Sequence, residues 1–224
     1  MSLILQKEVD NLKKNILSLG GFVEEQVHYA VKSLIQMDKK MAEQVVLRDA
    51  DVDQAEVEME ESCLKLLALY QPVATDLRFI IAVLKINSEL ERIGDLAVNI
   101  AKRTQLIDHH HKFNEVGMLS EMTDLVESML KMSLDSLVNQ EVSMAVRVCD
   151  TDDEVDQFNR ELYRKVCQHM KEIPEKLDGF VHFLNISHQL ERIADLTTNI
   201  AEDVLYMIQG KIVRHHVDDV IDDK

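Results

Sequence analysis

The 224-residue chain is 46% apolar and has 6 Gly, 2 Pro and no Trp, which is enough for a core but too few turn residues for an all-β protein. Its net charge of −16 repels nucleic-acid phosphates and anionic lipid, and so argues against both as partners. Cys63, Cys149 and Cys167 are an odd number without C-x-x-C spacing; they read as small hydrophobes in a reduced, cytosolic compartment.

The first residues, "MSLILQKEVDNLKKN", lack a basic flank followed by a long apolar run, so no signal peptide is expected. Three amphipathic segments follow, over about 8–36, 39–70 and 75–107. In the third, Val83, Ile86, Leu90, Ile93, Ala97 and Ile100 advance by steps of 3, 4, 3, 4 and 3. That is the stripe of a helix packed on helical neighbours. A polar link, "LIDHHHKFNEVG", leads to three more segments, at 114–139, 141–171 and 177–209. No stretch approaches roughly 18 uninterrupted apolar residues, so no membrane span is expected.

The second set copies the first. "LERIGDLAVNIA" from Leu90 returns as "LERIADLTTNIA" from Leu190, an offset of 100. Earlier segments match at 103: Val23, Val27, Val31 and Leu34 fall on Val126, Leu130, Leu134 and Leu137, and Val52 falls on Val155. The slip of three lies where "QPVATD" gives way to "PEK", and the two prolines, Pro72 and Pro174, stand there. Proline breaks or opens a helix, so both places read as turns. The predicted fold is all-α: two tandem three-helix bundles, residues 1–110 and 111–224. Each helix of about 30 residues should run about 45 Å, antiparallel to its neighbours.

Core packing explains the repeated Leu and Ile but not the repeated acids. Positions four apart on a helix differ by only about 40° around the axis, so Glu91, Asp95 and Asn99 form one row, as do Glu191, Asp195 and Asn199. Measured against the stripe, the rows lie on the side away from the core. Asp49 and Asp53 in the second segment correspond to Asp152 and Asp156 in the fifth, at the edge of each helix's stripe. Each copy thus carries two acid-x-x-x-acid pairs on two neighbouring helices. Like charges at this spacing cost roughly 0.2–0.5 kcal/mol per pair. Four together repel further or hold protons unless a cation joins them. Such oxygen-rich sets suit Mg²⁺, Ca²⁺ or Mn²⁺, and iron can be held this way. A solvated acidic face accounts for any single pair; four pairs in matching positions favour a metal or polar recognition site.

Other residues carry less. The runs His109–His111 and His215–His216 have no counterpart in the other copy and read as solvated. His188 precedes Glu191 by one turn, but its counterpart is Ser88, so it is at most an auxiliary ligand. Arg92 and Arg192 adjoin the acids and could anchor carboxylates, present a guanidinium to phosphate, or simply neutralise the row. No nucleophile elbow, phosphate-cradling Gly-rich loop or zinc-type Cys/His spacing is found. Besides a regulatory adaptor, the acids leave a metal store or a carboxylate-bridged di-metal enzyme open, although such enzymes place ligands inside the bundle with His at three-residue spacing.

The tandem E-R-I-x-D-x-x-x-N-I-A segments, the upstream Asp-x-x-x-Asp pairs and "QPVATDLR" resemble the PhoU family of phosphate-transport regulators over nearly the whole chain. The resemblance implies a non-enzymatic, cytoplasmic, dimeric protein, peripheral at the membrane through its partners. Those partners would be the ATPase subunit of the phosphate ABC transporter and a phosphate-sensing histidine kinase, and the activity repression of the phosphate-starvation response. It also implies multinuclear metal clusters of Mg, Mn, Fe or Zn. Carried over by residue, the first site would use Asp49, Asp53, Glu91 and Asp95, and the second Asp152, Asp156, Glu191 and Asp195. Asn99 and Asn199 fit as supporting or capping groups. One departure stands out: "TDLR" (Thr75 to Arg78) has no equivalent in "EKLDGF", so the two halves are expected to differ.

Overall fold

The computed structural model describes residues 3–107 and 116–210. Six long helices form: α1 (Leu3–Ile35), α2 (Lys39–Tyr70), α3 (Ala74–Leu106), α4 (Val116–Asn139), α5 (Val142–Glu172) and α6 (Leu177–Gln209). No strand occurs among the described residues. The expected boundary between the copies, and the runs His109–His111 and His215–His216, lie outside the described residues.

Helix α1 begins five residues before the expected start at 8, because Leu5, Val9 and Leu12 extend its apolar stripe into the core. Asp38 ends the turn before α2, its carboxylate accepting from the Lys40 and Met41 amides at 2.9 and 3.1 Å. That satisfies two of the donors every helix start leaves unpaired. The corresponding turns share a left-handed residue: Met37 with φ 54° and Gln140, its counterpart at the offset of 103, also with φ 54°. Pro174 opens a single 3-10 turn, Pro174–Lys176, before α6. Gly210, at φ 71°, closes α6 and its N–H donates to Tyr206 O at 2.8 Å.

α1, α2 and α3 pack together, as do α4, α5 and α6, so the two bundles are real. They also pack on each other, α3 against α6 and α1 against α4, and their buried residues form one continuous core. Gly20 on α1 is required for that approach: a methyl added there would overlap the buried Leu134 side chain of α4. Polar links cross the same seam. His28 Nδ1 lies 3.0 Å from Glu127 Oε1, and Arg78 Nε donates to Met207 O at 3.2 Å. The second contact explains the one departure between the copies. Arg78 of "TDLR" places its cation against the last turn of α6, where carbonyls are unpaired and the helix dipole is negative.

A second pair of contacts is common to both bundles. Asn87 of α3 donates from Nδ2 to Glu56 O of α2 at 2.9 Å, and Ser187 of α6 donates from Oγ to Asn159 Oδ1 of α5 at 2.6 Å. Both are buried or half-buried positions one turn before the acid rows, so they lock the register in which those rows face their partners.

Candidate functional site

The register set by Asn87 and Glu56 brings Asp49 and Asp53 of α2 beside Glu91 and Asp95 of α3. Their charges act on one another accordingly. Burial, then Asp95, Asp53, Glu56 and Asp49, raise the Glu91 carboxyl above its ordinary value. Burial, then Asp53 and Asp95, raise Asp49, opposed by Lys102 and weakly by Gln26. The same arrangement recurs between α5 and α6. Burial and then Asp195, Asp156, Asp153 and Glu191 push Asp152 up to about 6. Glu191 and Asp195 also rise through burial and neighbouring acids, His188 pulling both back and Arg192 pulling back Asp195.

The expected sets therefore come together, each across two helices. One expectation needs correction. The rows on α3 and α6 do not wholly point away from the core: Glu91 and Glu191 are half-buried, while Asp95 and Asp195 are exposed. On α2 and α5, Asp49, Asp152 and Asp156 are half-buried, as the edge of a stripe implies, and Asp53 is exposed. The stripe alone placed Glu91 and Glu191 outside; the neighbouring helix, which the stripe does not show, covers them.

Several flanking groups find partners. Arg92 Nη1 binds Glu89 at 3.0 Å, not the acid row; burial raises the Glu89 carboxyl, and Arg92 and, across the seam, Asn199 pull it back. Arg160 Nη1 holds Asp156 Oδ2 at 2.9 Å. His188 Nδ1 stands 2.9 Å from Glu191 Oε2, close enough for charge to act although out of line for a hydrogen bond. Glu56, Lys102 and Gln26 join the first set without having been singled out in the sequence. Only Glu56 carried a signal, lying one turn beyond Asp53 on the same helix.

The donor set fits a hard or borderline divalent cation: carboxylate oxygens, two helices, and repulsion that a cation would relieve. As the side chains stand, no three His, Cys, Asp or Glu among the described residues converge to ligand distance, so binding would require carboxylates to rotate. The thiols stay apart from this chemistry, burial first and nearby carboxylates next pushing Cys63 and Cys149 to about 12.

These features define a class: an all-α repeat protein of two fused three-helix bundles, each with a four-carboxylate cluster on its second and third helices. The PhoU domain model matches residues 16–104 and 119–204, and the chain belongs to the PhoU family. It is 35% identical over 211 residues to the phosphate-specific transport system accessory protein PhoU homolog of Clostridium acetobutylicum, covering 94% of this chain and 96% of that one. It is 32% identical over 216 residues to the phosphate-specific transport system accessory protein PhoU of Serratia marcescens, covering 96% and 88%. The crystal structure of PhoU from Pseudomonas aeruginosa matches with a TM-score of 0.88 at 32% identity, over 92% of this chain and 99% of that one. The phosphate transport system regulatory protein PhoU from Streptococcus pneumoniae matches equally, with a TM-score of 0.88 over 93% and 99%.

Proposed function

We propose that the protein is a non-catalytic accessory of phosphate-specific transport: a metal-binding adaptor that represses phosphate-starvation signalling. It would act in the cytoplasm, as a dimer, by docking on the transporter's ATPase subunit and on the phosphate-sensing kinase. The observation that carries the metal half is the matched pair of four-carboxylate clusters, in which burial first and the neighbouring acids next raise Glu91 and Asp152. Grouping acids in this way costs stability unless something cationic uses them. The phosphate half rests on the relatives named above, which align over nearly the whole chain.

The described helices add a mechanical argument. None is long and apolar enough to cross a membrane, and the acidic surface favours basic partner faces and fast encounter at low salt. A cation at the clusters supplies charge neutralisation. It would couple to docking only by binding the docked form better than the free one. The test is deletion in the native host. An alkaline phosphatase or other phosphate-starvation reporter should stay high in phosphate-rich medium, and a wild-type copy should restore silence. A reporter that remains repressed without the protein, with no measurable binding to either partner, removes the regulatory reading.

A further inference from the structure

Gln26, on α1, is 4% exposed, and neither its Oε1 nor its Nε2 makes a hydrogen bond of good geometry, although the amide is near enough to Asp49 to lower that carboxyl slightly. A buried amide with both ends unpaired is destabilising, and in a native protein it calls for an explanation. The second repeat avoids it: the counterpart at the offset of 103 is Met129, fully buried. The amide borders the first acid cluster. A Cβ built on Gly94 would stand 3.1 Å from Gln26 Oε1 and 3.9 Å from Asp49 Oδ1. Gly94 therefore leaves open the small gap onto which both groups face. Its counterpart is Ala194. Two differences thus separate the clusters at one place: an amide where the second repeat has a thioether, and a glycine beside it where the second has a methyl.

An apolar side chain would serve the core better at position 26, and the second repeat shows that this fold accepts one. The amide is instead placed where it can reach the cluster. We propose that Gln26 is a positioning residue of the first metal site, turning its amide N–H to the Asp49 carboxylate and holding it for the cation. This rests on the metal-binding reading above. Outer partners of this kind fix the orientation of a ligating carboxylate and tune its affinity. The second site has no equivalent, so the two sites are unequal and the first is the more dependent on α1.

Calorimetric titration of the full chain with Mn²⁺, Zn²⁺ and, anaerobically, Fe²⁺ tests this, with the second cluster silenced by Asp152→Asn and Asp195→Asn. In that background Gln26→Met, which copies the second repeat, should weaken first-site affinity about 10- to 100-fold while raising the Tm of the metal-free protein. Gly94→Ala should weaken it as well, since its methyl would press on the amide at 3.1 Å. Unchanged affinity in both variants, when the parent chain binds metal, overturns the inference and leaves the metal reading intact. A Gln26→Met protein with lower metal-free Tm assigns the amide to folding and overturns it too. A parent chain that binds none of the three ions removes the metal reading and this inference together.

Discussion

Lys85 Nζ lies 2.5 Å from Asp203 Oδ1 and 5.6 Å from the centre of the Tyr206 ring, so one side chain of the first bundle holds two of the second. The link is one-sided. Asn185, the counterpart of Lys85 at the offset of 100, donates to Val181 O on its own helix instead. The Asp203 side chain is 17% exposed, so removing its cation leaves a largely desolvated carboxylate. Lys85→Ala should cost about 1–2 kcal/mol, more than an exposed pair contributes. Arg160→Ala, which breaks a pair whose side chains are 60% and 41% exposed, should cost about 0–1 kcal/mol by the same denaturation assay. Equal losses would mean that the seam between the bundles is not held by Lys85.

The acid clusters predict a pH dependence with a definite sign. The folded protein holds the Asp152 proton more tightly than the unfolded chain, at about 6 against 3.8. This contribution is therefore fully present below about pH 4 and is lost as pH rises through about 6. The whole shift would be worth about 3 kcal/mol. Solvent reaches this half-buried carboxylate, so roughly 1 kcal/mol should be seen. Asp49, Glu91, Glu191 and Asp195 are raised in the same direction. Metal-free protein should lose stability between pH 4 and 7, and Asp152→Asn should flatten part of that fall. A flat wild-type profile would contradict the grouping of these carboxylates.

The repeat made most of this architecture legible. Val83 to Ile100 gave one helix its stripe, and the offsets of 100 and 103 placed five others by comparison. The acid pairs were legible for the same reason, since repetition separated them from the many other acids. Half-burial was not. A stripe reports which face of one helix is apolar, not how far the next helix overlaps it, so Glu91 reads as facing out while Asp49 already stands at the edge of its own stripe. Gln26 was hidden more deeply. Its counterpart Met129 is plain core, and only its nearness to Gly94 and Asp49, across three helices, distinguishes it.

The approach of α1 to α4 yields a contrast between adjacent glycines. A methyl at Gly20 would overlap the Leu134 side chain, whereas one at Gly21 meets nothing within 4 Å. Gly20→Ala should therefore destabilise by about 1–3 kcal/mol through overpacking. Gly21→Ala, exposed in mid-helix, should stabilise by about 0.5–1 kcal/mol through helix propensity. Urea denaturation of the two variants reads both signs at once. A stabilising Gly20→Ala would place α1 further from α4 than described.

The last prediction separates the two clusters. Each draws its carboxylates from one bundle only, α2 with α3 or α5 with α6, so each should load independently. Glu91→Ala with Asp95→Ala should remove metal from the first site and leave the second loaded, read by elemental analysis after dialysis against Mn²⁺ or Zn²⁺. Stability should show the opposite pattern with and without metal. In metal-free protein the double variant relieves the repulsion that raises Glu91 and Asp49, so it should be as stable as wild type or more so. With metal at about 100 times Kd, wild type should gain about 2.7 kcal/mol from the first site that the variant cannot. The wild-type stability curve must then climb above the variant's as metal is added. Unchanged metal content in the variant, or curves that run parallel, would mean that the acid row on α3 serves another purpose, such as meeting a basic partner surface directly.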